Sequence, residues 1–173
     1  MNISKYFLGL LFATSFAFFS CSKDECKDVV CSNGGACSAG SCVCTSGYEG
    51  AKCDTEWRTK FLLSTPTTKP TERCDTQSVD FVYDNYVTIT RGTASATEII
   101  ITNVGAFGNN HNANLTSATA FNLVSKTVTV GPTTLTITGS GTISGKIITI
   151  NYTAVKTGVG AGTSTCVMKV TLP

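Results

Sequence analysis

Nine cysteines, one histidine and eleven carboxylates are the residues of this 173-residue chain with the most obvious capacity for chemistry. Cysteine dominates, and seven of the nine lie between Cys21 and Cys53. Thiols that dense in a short segment form disulfides or hold a metal, and their spacing discriminates. Cys42-x-Cys44 is too close for the usual chelating pair of a zinc site, and no histidine stands nearby. Nucleophilic catalysis needs a base within hydrogen-bond reach. His111, the only histidine, stands in Gly108-Asn109-Asn110-His111-Asn112, which reads as a solvent-exposed polar loop tip. The acids beyond residue 55 are Glu56, Glu72, Asp75, Asp80, Asp84 and Glu98. They fall in no catalytic motif, and the pair Asp80 and Asp84 has no spacing that singles it out for glycoside hydrolysis. Gly139-Ser140-Gly141 reads as a turn between strands, because no Gly-Lys-Ser/Thr follows it as a phosphate loop requires. The chain therefore reads as a non-enzyme, with no catalytic residue, cofactor or metal.

The elements that carry these residues begin with a short leader. Lys5 precedes a fourteen-residue apolar run, Tyr6 to Phe19, followed by Ser20-Cys21. The run has no polar face and is shorter than the roughly 20 residues that cross a hydrocarbon core, so residues 1–20 read as a signal peptide. Ser20-Cys21 resembles the end of a lipobox, in which a small residue precedes a lipid-modified cysteine. Cys21 is also the ninth cysteine, and the other eight can pair without it. Ser22-Lys23-Asp24-Glu25 resembles the Ser-Lys-acidic-acidic export signal of surface lipoproteins of Bacteroidota. These resemblances imply palmitate-type acylation of Cys21, an export tether over 21–25, and a surface-exposed, lipid-anchored place on a bacterial outer membrane. At about 0.8 kcal/mol per buried methylene, two or more chains would hold the protein there without a membrane span.

Residues 26–53 are a disulfide module with the spacing Cys26-x4-Cys31-x5-Cys37-x4-Cys42-x-Cys44-x8-Cys53. Six cysteines permit fifteen connectivities, and spacing alone does not choose among them. The Asn33-Gly34-Gly35-x-Cys37, Cys42-x-Cys44 and Gly47-Tyr48-x-Gly50-x-x-Cys53 elements together resemble an EGF-like domain. That resemblance implies the pairs Cys26–Cys37, Cys31–Cys42 and Cys44–Cys53. Ser38-Ala39-Gly40-Ser41 reads as a hairpin turn. Calcium-binding EGF domains carry acids before their first cysteine, where Asp24-Glu25 stand, but Ser38 to Ser41 offer neither carboxylate nor aromatic, so calcium is not expected.

Beyond the module the composition changes. Residues 59–173 hold twenty-six threonines, a β-branched residue suited to half-exposed strand positions. Val128-Thr129-Val130, Leu135-Thr136-Ile137-Thr138, Ile147 to Tyr152 and Cys166 to Val170 alternate with period two, and Gly and Asn clusters separate them. The pattern predicts seven to nine short antiparallel strands over 55–173 and no helix. A small up-and-down barrel or a sandwich fits it. If the sheet closes, its first and last parts meet and Cys74 pairs with Cys166. Trp57-x-x-Lys60-Phe61, Glu72-Arg73-Cys74, Gly139 to Gly145 and the Cys166 strand resemble small lipocalin-like β domains of Bacteroidota lipoproteins.

The electrostatics narrow the partners. Net charge is +2, and all eleven acids lie at or before Glu98, so there is no footprint for nucleic acid. Two functions remain open. One is contact with a protein or glycan at the cell surface, the EGF-like module acting as a stapled spacer. The other is small-ligand or lipid binding inside a barrel. A packed interior favours the first and an apolar pocket of about 300 Å³ or more the second.

Overall fold

The computed structural model describes residues 25–66, 68–76, 79–83, 86–106 and 108–173. The leader, Cys21 and the tether residues Ser22, Lys23 and Asp24 lie outside the described residues, as does Asp84.

The module begins with a hairpin of β1 (Ala36–Ser38) and β2 (Ser41–Val43). Both turn residues, Ala39 and Gly40, have positive φ (48° and 76°), which matches the right-handed twist of a two-residue hairpin. A second hairpin pairs β3 (Tyr48–Glu49) with β4 (Thr55–Glu56). The expected division between residues 53 and 55 thus falls inside a hydrogen-bonded hairpin. The disulfides Cys26–Cys37, Cys31–Cys42 and Cys44–Cys53 close loops of 9 to 11 residues. Crosslinks replace a core here, because a segment this short buries too little apolar surface to fold alone.

The rest of the chain is one antiparallel sheet of nine strands. They are β5 (Thr71–Cys74), β6 (Phe81–Val82), β7 (Ile89–Arg91), β8 (Glu98–Thr102), β9 (Asn110–Ser117), β10 (Ala120–Val130), β11 (Thr133–Ser144), β12 (Ile147–Thr157) and β13 (Gly162–Thr171). Their spatial order is β6-β5-β13-β12-β11-β10-β9-β8-β7. Strands β6 and β7 occupy opposite edges, yet only residues 83–88 join them. A flat sheet of nine strands spaced ~4.8 Å apart would hold its edges ~38 Å apart. Seven residue steps reach at most about 25 Å, so the sheet must curl. A second tie does the same. Leu63 exchanges two 2.9 Å backbone hydrogen bonds with Ile89 on β7, and eight residues later the chain is in β5 beside the other edge. The result is a half-barrel rather than a sandwich.

Alternation decides which side chains fill the concave face. On β12, Ile148, Ile150, Tyr152 and Ala154 are buried, while Ile147, Asn151 and Val155 are exposed and Thr149 and Thr153 half-exposed. The interior is packed: Phe61 and Phe121 meet edge to face at 5.6 Å, amid Ile89, Ile99, Ile101, Ile137 and Met168. The expectation that Gly139-Ser140-Gly141 is a turn is corrected here. These residues lie inside β11, and the glycines leave room for the Phe121 ring at Gly141 and for the backbone of β12 at Gly139. A Cβ at Gly141 would sit 2.1 Å from the Phe121 ring, and one at Gly139 would sit 2.7 Å from Tyr152 Cα.

Cys74 and Cys166 stand directly opposite each other on β5 and β13 and are bonded. A crosslink over 92 residues constrains the unfolded chain by roughly 4–5 kcal/mol in the entropy model. That is a large share of a margin of about 5–15 kcal/mol. Changing both cysteines to Ala is therefore expected to lower the urea midpoint of unfolding with little change in slope. An unchanged midpoint would show that this crosslink does not hold the sheet ends together.

Candidate functional site

The half-barrel has two ends, and the chain finishes them differently. At the near end lie the connections β7–β8, β9–β10 and β11–β12. The disulfide module docks here. Trp57 N–H donates to Gly47 O at 2.9 Å, and a Cβ at Gly47 would lie 3.1 Å from Ala96 Cβ. Arg58, in a 3-10 turn over Trp57–Lys60, is the clamp. Its Nε and Nη2 donate to the two carboxylate oxygens of Glu56 at 2.7 and 3.0 Å. Its Nη1 donates to the carbonyls of Gly92 and Ser95 at 3.0 and 3.1 Å. Arg91 Nε adds a 3.2 Å contact to Glu56. The hydrogen bond from Arg58, aided by that from Arg91, holds the Glu56 carboxyl down at about 2. Lys60 pairs with Glu49 of β3 at 2.7 Å.

Glu98 is also structural. It accepts from Ala94 N–H at 2.9 Å and from Asn112 Nδ2 at 2.8 Å, and these bonds hold its carboxyl below the usual range.

At the far end lie the connections β5–β6, β8–β9, β10–β11 and β12–β13. A cavity of about 340 Å³ opens there, lined by Glu72, Leu135, Tyr152, Ala154, Lys156 and the Cys74–Cys166 disulfide, among others. Glu72 is only 8 % exposed. Tyr152 Oη donates to its Oε2, while its Oε1 lies 3.6 Å from Cys74 Sγ, a disulfide sulfur with no proton to give. Tyr83 Oη is buried beside the same carboxylate and Tyr152, without a hydrogen bond of good geometry. Burial first, then the nearby carboxylate, pushes both tyrosine hydroxyls well above their ordinary range. Glu72, Cys74 and Cys166 are close enough to share a metal, but both sulfurs are engaged in the disulfide.

His111 corrects an expectation. It is a fully buried residue of β9, not an exposed loop tip. The segment Asn110 to Leu115 alternates, with His111, Ala113 and Leu115 inward and the three asparagines outward. Neither ring nitrogen has a hydrogen-bond partner, so no nucleophile or orienting acid reaches it. Asp80 is exposed and lies 3.7 Å from Arg73. Glu72 was legible in principle: period two puts it on the face of Cys74, which must point inward to reach Cys166.

Comparison with known families finds a likeness for the module alone. Residues 26–56 match the Teneurin-like EGF domain. The match takes in the three short disulfide loops and β4, ends at the clamp carboxylate Glu56, and leaves the half-barrel outside it. No curated protein and no solved structure matches the chain. The EGF-like module is thus a cap on the near end of the half-barrel, and the far end stays open.

Burial lowers the His111 pKa from 6.5, Lys126 adding to the effect. Below pH 6.5 the unfolded chain binds a proton that the folded chain refuses, so stability falls as pH falls through that value, by up to about 1.4 kcal/mol per pH unit. His111→Leu is expected to raise the urea midpoint at pH 7, since it removes two unpaired polar atoms at about 1–3 kcal/mol each. It should also flatten the pH profile between pH about 7 and 5.5. Parallel profiles for the two chains would contradict the burial.

Proposed function

We propose that the protein is a non-catalytic surface lipoprotein of a bacterial outer membrane, anchored through acylated Cys21 and acting by contact with a protein or glycan partner. The observation that carries this reading is the pairing of cysteines. Eight of the nine are joined in four disulfides, so no described cysteine remains to pair with Cys21. Cys21 follows an apolar run, the setting of a lipidated cysteine, and Ser22, Lys23, Asp24 and Glu25 supply the export tether. Four disulfides fit an oxidising compartment. The EGF-like module follows five residues after Cys21, so it serves as the spacer next to the membrane. The packed half-barrel interior favours a role at the surface over carriage of a large apolar ligand. His111 and the paired acids supply no hydrolytic machinery.

Small-ligand binding is the second reading. One observation favours it, the cavity at the far end, which is the end away from the EGF-like module.

Metabolic labelling with a fatty acid is expected to mark the protein, and Cys21→Ala to abolish the label. Replacing Lys23-Asp24-Glu25 with alanines should keep the label but reduce digestion by protease added to intact cells. A label that persists in Cys21→Ala would contradict the anchor.

A further inference from the structure

We propose that the far-end cavity binds a small organic amine, with its ammonium group on Glu72 and its outer end toward Lys156. Three observations carry this. First, the cavity of about 340 Å³ is of small-molecule size, at the low end of ligand sites. Second, Glu72 is 8 % exposed, and the groups that reach its carboxylate to donate are the neutral phenols Tyr152, which donates to Oε2, and Tyr83, which lies beside it. No cation lies within ion-pair distance of it among the described residues. A carboxylate withdrawn from water is destabilised unless charge and hydrogen bonds compensate, and phenols supply no charge. Third, Tyr83 Oη is buried beside the same carboxylate with no partner of good geometry, so its oxygen is free to accept from an ammonium seated there. An ammonium brings three donors and the missing charge.

The surroundings define the ligand further. Leu135 and Ala154 are buried apolar lining residues and suit a short methylene chain. Lys156 is an exposed lining residue without an ion pair among the described residues. An acid set deep and a base set on the rim match a zwitterion whose carboxylate lies a few carbons from its amine. The site is separate from the contact role, and it can fail while the lipid anchor stands.

Titration calorimetry of the purified chain, in detergent and with its disulfides intact, tests the site with three five-carbon probes: pentylamine, 5-aminopentanoate and pentanoate. The two amines are expected to bind and pentanoate not. Glu72→Gln should weaken both amines by roughly tenfold or more, the scale of one charged hydrogen bond. Lys156→Ala should weaken 5-aminopentanoate and leave pentylamine unchanged. Because Lys156 is exposed, that variant keeps the test decisive should Glu72→Gln fail to fold. Binding of pentanoate as tight as that of the amines, equal effects of Lys156→Ala on both amines, or no heat from any probe would overturn the proposal.

Discussion

The hold of Arg58 on Glu56 fixes how the chain enters the half-barrel. The guanidinium is 13 % exposed and the carboxylate 25 %, so the bond is shielded from much of the screening that weakens surface pairs. Its planar fork meets both carboxylate oxygens and still reaches two carbonyls of the β7–β8 connection. Glu56 belongs to a strand paired with the EGF-like module, and Phe61 enters the core three residues after Arg58. One side chain therefore ties the disulfide hairpin, the rim of the sheet and the residue that plugs the near end. Removing the guanidinium would leave Glu56 half-buried with only Arg91 as counter-charge.

Curling follows from the short ties between the sheet edges, and it explains the asymmetry of the two ends. Near the clamp, Phe61 meets Phe121, and Gly141 makes the space for that ring. Toward the far end the core gives way to a cavity with a buried carboxylate. The Cys74–Cys166 bridge at its wall holds Glu72 in register, since β5 is short and pairs with β13 over four residues. The open end is thus as much a product of topology as of the residues that line it.

Much of this was legible in the sequence. Alternation in Leu135 to Thr138 and Ile147 to Tyr152 marked strands, and the spacing of Cys26 to Cys53 marked the EGF-like module. The pairing of Cys74 with Cys166 followed from asking where the first and last strands of a closing sheet meet. Two readings failed for the same reason. Gly139-Ser140-Gly141 and Asn110-His111-Asn112 looked like breaks because their composition is that of turns, but period two continues through both. In the first, Gly141 makes way for the Phe121 ring and Gly139 for the β12 backbone at Asn151 and Tyr152. In the second, polar residues occupy the convex face while His111 points inward. The clamp was not legible at all, because the partners of Arg58 at Gly92 and Ser95 are backbone carbonyls more than thirty residues away.

The central claim is that the EGF-like module and the half-barrel form one body, closed where they meet and open at the opposite end. Backbone nitrogen relaxation by NMR measures it directly. Amides of residues 26–56 and of strands β8 to β13 are expected to report a single rotational correlation time, and Arg58→Ala to separate the two. Independent tumbling of the module in the unaltered chain would contradict the account.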